Sequence, residues 1–297
     1  MYRKILYITA GLLAPLFASA QSADDSRYAV KAHAQIGLGD AMSMKSSMPG
    51  LTGKTSTDEY GVDFGWRVWQ KDRHSLEVNV GVCYSGVSTD LSLPELKYSY
   101  AAPAVADMDG ETYTRYTELS DFGQKCNVSR LAVPVYLSYG YRCTDWVTVH
   151  ADLGFNFGFK TSAKLSDLRG EAYSYGIYPQ YDNLMIDATY MNGFGRRGIA
   201  GDATAPEVSA MTVSLLAGIG AEFRVYGPLA LDLSLRYNGG LTNLYKQVIT
   251  PSEGFTETNS PLTYTVKDGE RIKSLTDYVT ASKLSQLSVN ISLIYRF

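Results

Sequence analysis

Cysteine and histidine are scarce in this chain of 297 residues, which contains three of each. An odd number of cysteines does not make a disulfide framework. The positions Cys83, Cys126 and Cys143 also match no spacing that is typical of a metal-binding motif. The sequence therefore predicts no cofactor and no metal site.

Long apolar runs and a surplus of positive charge are also missing. After residue 20, no stretch reaches the roughly 18 consecutive apolar residues that a transmembrane helix needs. Lysine and arginine number 27 against 30 aspartates and glutamates, which gives a formal net charge of −3. Because a basic footprint is absent, nucleic acid is not an expected partner.

The start of the chain has the three parts of a secretory signal peptide. Two basic residues, Arg3 and Lys4, are followed by the apolar run Ile5–Phe17 and then by Ala18-Ser19-Ala20, a small-residue cleavage site. An uncleaved membrane anchor is the alternative, but the run is shorter than the ~20 apolar residues of a spanning helix. The prediction is a cleaved signal over residues 1–20 and a single domain over residues 21–297.

Tyrosine and glycine are abundant, with 23 and 27 residues, and this composition favours strands and turns. In eight segments every second residue is apolar or aromatic, which is the period of a β-strand with one apolar face. These segments are Tyr28–Leu38, Tyr60–Val68, Leu76–Tyr84, Leu131–Tyr141, Val147–Phe159, Met211–Val225, Leu231–Tyr237 and Leu287–Phe297.

The opposite face of these segments carries the charged residues and most of the strand glycines. Basic residues at mid-bilayer would each cost about 2–4 kcal/mol if they faced lipid, so this face should line the lumen of a barrel. Glycines there leave room for long side chains. In a soluble ligand-binding barrel the two faces would be exchanged, and aromatic residues would crowd one small interior. The predicted lumen ion-pair network is Lys31, Asp63, Arg67, Glu77, Arg130, Asp152, Glu222, Arg224, Asp232 and Arg236.

Short and long connections alternate between the segments. Tight turns are predicted near residues 70–73, 142–145 and 226–228, and long loops over residues 39–59, 85–130, 160–210 and 238–286. Short turns are typical of the periplasmic end of a transmembrane barrel and long loops of its extracellular end, so both termini are expected in the periplasm. The predicted fold class is all-β, a transmembrane antiparallel up-and-down β-barrel of eight strands. A hairpin over Leu262–Ile272, around Asp268-Gly269, would raise the count to ten if it entered the barrel.

The last strand, Leu287–Phe297, ends on an aromatic residue, and Tyr295 and Phe297 resemble the terminal signal that guides barrel assembly. Arg130–Tyr139 places Pro134 between apolar residues, where a bulge or local break in the ladder is expected. With the signal peptide, these features resemble the outer-membrane β-barrel domain family (porin-like, OmpA/OmpX-like) of Bacteroidetes-type bacteria. The resemblance implies an integral protein of the bacterial outer membrane. Its implied partners are outer-membrane lipid and the barrel-assembly machinery. We expect a monomer.

Tyrosines in the third long connection indicate a contact surface, since tyrosine among glycines suits adaptable recognition. They are Tyr173, Tyr175, Tyr178, Tyr181 and Tyr190. The predicted function is therefore a non-enzymatic, surface-exposed structural or adhesive role, with an unidentified surface ligand. A small diffusion pore is one alternative. A lipid-modifying enzyme that uses His33 or His150, or an accessory to secretion, is another.

Overall fold

The computed structural model describes residues 26–102, 107–199, 205–265 and 269–297. The predicted signal peptide lies outside the described residues. Within those four ranges, no helix has the length and apolar character needed to cross a bilayer.

Strands dominate the described residues. They are β1 (Tyr28–Leu38), β2 (Met42–Ser46), β3 (Thr52–Lys71), β4 (His74–Ala101), β5 (Thr114–Arg142), β6 (Val147–Tyr178), β7 (Leu184–Ile186), β8 (Gly195–Gly198), β9 (Met211–Tyr226), β10 (Leu229–Asn243), β11 (Leu262–Thr265), β12 (Gly269–Ile272) and β13 (Val279–Arg296). Two short 3₁₀ helices span Pro179–Tyr181 and Leu275–Tyr278.

Eight of these strands form a closed antiparallel ring. Its order is β1-β3-β4-β5-β6-β9-β10-β13, and β13 pairs back onto β1 from Leu287 opposite Leu38 to Arg296 opposite Ala29. The ring confirms the predicted eight-stranded up-and-down barrel. Strands β11 and β12 pair only with each other, which confirms the predicted hairpin and shows that the ten-stranded alternative is wrong.

The two faces of the ring have opposite polarity. On the outside, Phe64, Leu153 and Ile219 are 46%, 60% and 65% exposed, whereas the inward residues Asp63 and Asn79 are almost completely buried. A closed ring also leaves no strand edge, so the backbone hydrogen bonds are satisfied without water, as lipid requires. The apolar exterior is that of a transmembrane barrel and excludes the soluble alternative.

The predicted tight turns are present on one side of the barrel. Asp72, in left-handed conformation with φ 53°, lies in the two-residue turn between β3 and β4, and Gly227 has φ 53° between β9 and β10. Pro134 interrupts the β4–β5 ladder between the pairs Val80–Val135 and Cys83–Ala132. The register is unchanged across this gap, so proline causes a local break without a bulge.

On the other side, the long connections differ from the prediction. Residues 85–101 continue β4, residues 114–130 belong to β5, and residues 160–178 continue β6. Loops were therefore the wrong prediction for most of 85–130 and for the first part of 160–210. The ladder from Tyr84 to Ala101 lacks a pair only at Pro94 and extends roughly 55 Å along the strand at the usual rise per residue.

These extensions and the neighbouring connections form a second folded unit, which we call the cap. It comprises the described residues within 39–59, 85–130, 160–210 and 238–286, except residues at the ends of these ranges that line the lumen, such as Glu59, Ser85, Arg130 and Gln286. Its core is apolar and includes fully buried Leu91, Leu93, Phe122, Leu275 and Tyr278. The barrel thus has a polar interior, and the cap has a conventional hydrophobic core.

Candidate functional site

At the turn-side end of the lumen, Arg296 joins two carboxylates. Its guanidinium donates to Glu77 at 2.8 Å and to Glu222 at 2.6 Å. Lys31 approaches the same Glu77 at 2.5 Å. Each of these side chains is enclosed by the barrel, where an ion pair is stable only if both partners are satisfied.

The middle of the lumen is filled by Tyr136. Its hydroxyl donates to Asp63 at 2.8 Å and accepts from Arg236 at 3.1 Å. The guanidinium of Arg236 also stacks over the tyrosine ring at 4.9 Å and reaches Asp152 at 3.5 Å. This arrangement packs an aromatic ring and three charges across the axis of the barrel.

His150 is held between two carboxylates. Its Nδ1 lies 3.0 Å from Asp152, and its Nε2 lies 2.7 Å from Asp232. With both ring nitrogens engaged, neither nitrogen is left to accept a proton from a substrate, which general-base catalysis requires.

His33 lies on the facing side of the lumen. Its Nδ1 is 3.4 Å from Asp63, and its Nε2 is 3.5 Å from the sulfur of Cys83. The carboxylate of Glu59 belongs to the same buried group, in which the donor atoms of His33, Glu59 and Cys83 lie within 4.8 Å of one another.

The structure brings together seven of the ten residues predicted for the lumen network, through contacts with one another or with Tyr136, His150 and Arg296. These seven are Lys31, Asp63, Glu77, Asp152, Glu222, Asp232 and Arg236. The other three make these contacts or lie at these positions. Arg130 donates to Thr212 and Ser85, Arg67 donates to Gln70 near the turn, and Arg224 is exposed beside that opening.

The prediction omitted Tyr136, His150 and Arg296 as members of the network. All three fall on the polar register of their strands, which is the signal that could have identified them. A tyrosine is ambiguous there, since strand propensity explains it equally well.

The lumen leaves little free space between these side chains. Cavities lined by lumen residues have volumes of about 30 to 50 Å³. A cavity of that size holds one or two water molecules. None of these three cavities holds a solute larger than a few water molecules.

Arg115 organises the third long connection within the cap. It is fully buried, donates to the backbone oxygens of Asn192 and Gly193 at 2.9 and 3.2 Å, and stacks over Phe194 and Tyr264. A charged group at the centre of the cap is retained because backbone oxygens and aromatic faces replace its water.

The tyrosines predicted as loop residues divide between three environments. Tyr178 is buried against Tyr113 and Phe194 in a small aromatic cluster. Tyr173 and Tyr175 lie on strand β6, on the half-buried outer face of the cap sheet, and not in a loop. Tyr181 and Tyr190 remain exposed, as expected for recognition residues.

The outer face of the cap sheet places several recognition groups side by side. Tyr116 and Tyr175 stack across β5 and β6, with ring centroids 5.1 Å apart and planes at 4°. Tyr173 carries the guanidinium of Arg196 over its ring at 5.2 Å. A groove of about 190 Å³ lies beside them, with Lys97 and Glu118 in its wall.

An acidic group in the cap is sensitive to pH. Asp277 is buried in the second 3₁₀ helix, and burial, together with the nearby Glu207, raises the pKa of Asp277 to about 6. Lys273 opposes this shift in pKa more weakly. The carboxyl of Asp277 therefore titrates within the ordinary physiological range.

The C-terminal residue closes the barrel. The amide of Phe297 donates to the backbone oxygen of Tyr28, and the amide of Tyr28 donates to the backbone oxygen of Phe297. The Phe297 ring stacks on Tyr295 with centroids 6.1 Å apart, and Tyr295 is only 4% exposed. Both predicted assembly-signal residues thus lie at the β1–β13 seam.

No protein-family model matches the chain, and no curated protein matches its sequence. Among solved structures, it is similar to the outer membrane protein OprG from Pseudomonas aeruginosa, with 10% identity, a TM-score of 0.43 and coverage of 92% of this chain and 96% of that chain. Ail, the attachment invasion locus protein of Yersinia pestis, has 11% identity, a TM-score of 0.30 and coverage of 92% and 99%.

The translocator domain of the autotransporter NalP from Neisseria meningitidis has 13% identity, a TM-score of 0.27 and coverage of 100% and 96%. Likenesses at these identities and TM-scores assign neither a family nor a function. The ring of strand pairs and the outward apolar face therefore identify the chain by themselves as an eight-stranded transmembrane β-barrel with a filled lumen and a folded cap.

Proposed function

We propose that this protein is a non-enzymatic, non-conducting barrel of the bacterial outer membrane that holds a folded contact surface outside the cell. The observation that carries this proposal is the continuation of β4, β5 and β6 beyond the barrel into a sheet with a half-buried, tyrosine-bearing outer face. Function in such proteins resides in segments positioned by a rigid scaffold.

The orientation follows from the two ends of the barrel. Tight turns and both strand termini lie at one end, which we assign to the periplasm, and the cap lies at the other. Protease treatment of intact cells should cut only within the cap. Cleavage at the turn Asp72-Arg73 in intact cells would contradict this orientation.

The contact surface comprises Tyr116, Tyr173, Tyr175 and Arg196. Stacked aromatic rings offer a large contact area at little cost in conformational entropy, and Arg196 adds a cation next to them. This surface differs from the predicted one, because strand pairing fixes its geometry in advance. A preorganised surface loses less entropy when it binds.

Adhesion assays test the role of this surface. Cells that display the wild type should adhere to surfaces coated with purified matrix proteins or polysaccharides, or should aggregate with one another. The triple variant Tyr116→Ser, Tyr173→Ser and Tyr175→Ser should lose this adhesion at equal surface abundance. Tyr190→Ser is the matched control, since Tyr190 is 84% exposed and lies in the connection between β7 and β8, outside the strands that carry the contact surface. Equal adhesion of the triple variant and the wild type would reject the proposal.

A diffusion pore remains the second candidate, and the filled lumen counts against it. Purified protein in a planar lipid bilayer should give no stepwise conductance, because Tyr136 and its ionic partners occupy the barrel axis. Reproducible conductance steps from folded protein would favour the pore and contradict our proposal.

An outer-membrane lipid-modifying enzyme is disfavoured by the positions of the histidines. His150 has both nitrogens against carboxylates, and His33 is buried behind Asp63 and Cys83. His150→Gln or His33→Gln should therefore leave the lipid profile of cells unchanged. A changed profile with normal amounts of folded barrel would revive the enzymatic alternative.

A further inference from the structure

The buried group formed by His33, Glu59 and Cys83 combines imidazole, carboxylate and thiol donors on three adjacent strands. His33 lies on β1, Glu59 on β3 and Cys83 on β4, and their donor atoms lie within 4.8 Å of one another. We propose that these three side chains bind one divalent transition-metal ion of the zinc class inside the barrel. The inference goes beyond the proposed function and does not depend on it, and it revises the sequence-based prediction of no metal site.

The separation of the donors fits the size of such an ion. The sulfur of Cys83 lies 3.5 Å from Nε2 of His33. In a tetrahedral zinc site, bonds of about 2.3 Å to sulfur and about 2.0–2.1 Å to nitrogen place these two atoms about 3.5 Å apart. The two donors therefore lie at the distance of one edge of the coordination tetrahedron before any ion is bound.

Strand register explains how the donors meet. His33 pairs with Gly61, and Gly61 pairs with Cys83, so the glycine lies between the two donors on the middle strand. A Cβ atom at position 61 would lie 2.6 Å from the sulfur of Cys83. Glycine leaves the space that the two side chains need to approach each other, and Glu59 enters the same space from the next inward position on β3.

The surroundings of the site match those of metal-bound histidines. Nδ1 of His33 lies 3.4 Å from Oδ2 of Asp63, the same oxygen that accepts the hydrogen bond of Tyr136. Such carboxylate–histidine pairs orient the ring and strengthen it as a ligand. A proton on Nδ1 leaves the lone pair of Nε2 directed towards Cys83.

Beside Glu59 there is space for a water molecule, which would be the fourth ligand of the metal ion. The amide nitrogen of Asn156 lies 3.4 Å from the Glu59 carboxylate, and the amide oxygen of Asn156 is buried without a hydrogen-bond partner. A cavity of about 30 Å³ adjoins both residues. One water molecule fits that volume and would connect a metal ion to the unsatisfied oxygen.

Charge and donor type select the ion. A thiolate and a carboxylate supply two negative charges, and binding would release the thiol proton to solvent without any redox change. Sulfur and nitrogen donors disfavour Mg²⁺ and Ca²⁺, which prefer oxygen. A cysteine nucleophile assisted by His33 is the competing interpretation. However, Cys83 is 1% exposed, and the adjoining cavity admits no substrate larger than water.

Cobalt substitution tests the proposal, because thiolate ligation gives Co²⁺ an intense charge-transfer band in the near ultraviolet. The full mature chain would be stripped of metal, folded in detergent and titrated with Co²⁺ and then with Zn²⁺. We expect one equivalent of thiolate-bound Co²⁺ that Zn²⁺ displaces. His33→Gln should weaken Co²⁺ binding by more than about tenfold, the lower end of the loss seen even for changes outside the ligand shell.

The other two cysteines provide matched controls. Cys126 is buried in the cap and Cys143 is exposed in a turn. Cys83→Ser should abolish the band, whereas the double variant Cys126→Ser, Cys143→Ser should retain it in full. The double variant keeps Cys83 as its one cysteine and therefore gives an answer even if Cys83→Ser fails to fold. Absence of the band in folded wild type, its survival in Cys83→Ser or its loss in the double variant would each overturn the proposal.

Discussion

In the barrel, the inward side chains of β4 and β5 are polar, as with Glu77, Asn79 and Tyr136, and their outward side chains are apolar. In the cap, the same two strands bury Val87, Leu91 and Phe122 and expose Asp90 and Lys125. The pairing of β4 with β5 keeps one register throughout, so only the chemistry of the two faces changes.

The polar and apolar faces of the sheet exchange sides close to Tyr84 on β4 and Leu131 on β5, which are paired with each other. Lipid surrounds the strands on one side of this level and water on the other. Apolar residues face outwards where the solvent is hydrocarbon and inwards where the solvent is water, for the same physical reason. The position of the exchange therefore marks the surface of the membrane.

Removal of the most heavily paired lumen cation should have the largest effect on the barrel. Arg296→Met removes the cation that donates to Glu222 and leaves Glu77 with the Lys31 salt bridge. An unpaired buried charge costs about 3–5 kcal/mol, which we expect as a loss in the free energy of unfolding in lipid vesicles, measured with urea. Arg73→Met, in an exposed turn, is the control and should change this free energy by less than about 0.5 kcal/mol. Equal effects of the two variants would argue that the lumen is hydrated.

A cavity in the core of the cap should destabilise the cap and leave the barrel folded. Leu91→Ala removes a fully buried side chain, which costs about 2–5 kcal/mol. Because the core of the cap is built apart from the lumen network, we expect the cap to become sensitive to protease while the barrel keeps its heat-modifiable migration on gels. Leu241→Ala, at a residue that is 53% exposed, is the control. Simultaneous loss of both regions would mean that they fold as one cooperative unit.

An arginine on the outside distinguishes the solvents of the two regions. Leu153→Arg, near the middle of the apolar belt, should lower the free energy of unfolding in vesicles by about 2–4 kcal/mol. Asn127→Arg, at an exposed position on the outer face of the cap, should change it by less than about 0.5 kcal/mol because that face meets water. A similar loss for both variants would place the membrane surface beyond the cap.

Protonation of Asp277 should alter the cap alone. Its pKa is raised from 3.8 to about 6 in the folded state, so the folded cap binds more protons than the unfolded cap between these values, and the stability of the cap falls as pH rises from about 4 to 6. Asp277→Asn removes this dependence and should stabilise the cap above pH 6 by up to about 3 kcal/mol. Proteolysis rates at pH 4 and pH 7 measure the effect, which should be absent at pH 4. An equal gain at both pH values would exclude titration as its cause.

The barrel could be predicted because one physical requirement acts on every second residue. Segments such as Val147–Phe159 keep a strictly apolar register, and they contain enough residues to cross a bilayer. The cap could not be recognised by searching for that register. Alternation continues from Ser85 to Leu93, but Val87, Leu91 and Leu93 lie on the other register, so a search for one apolar register ends the strand at Tyr84.

The candidate sites were predicted only in part for a related reason. Period-two patterning shows which side chains enter the lumen, but not which of them meet. The contact between Arg296 and Glu77 joins residues that are far apart in sequence, on strands separated in the ring by β1 and β3. His33, Glu59 and Cys83 likewise carry no motif spacing and meet only through the register of β1, β3 and β4.

The sequence by itself determined the number of barrel strands, their alternation and the face that meets lipid, because these depend on local periodicity and on the cost of placing charge in hydrocarbon. Only the tertiary structure decided that the long connections form a folded cap, that Tyr136 and its charged partners fill the lumen, and that three buried donors converge beside Gly61. Those features depend on ring closure and strand register, which bring residues distant in sequence within a few ångströms of one another.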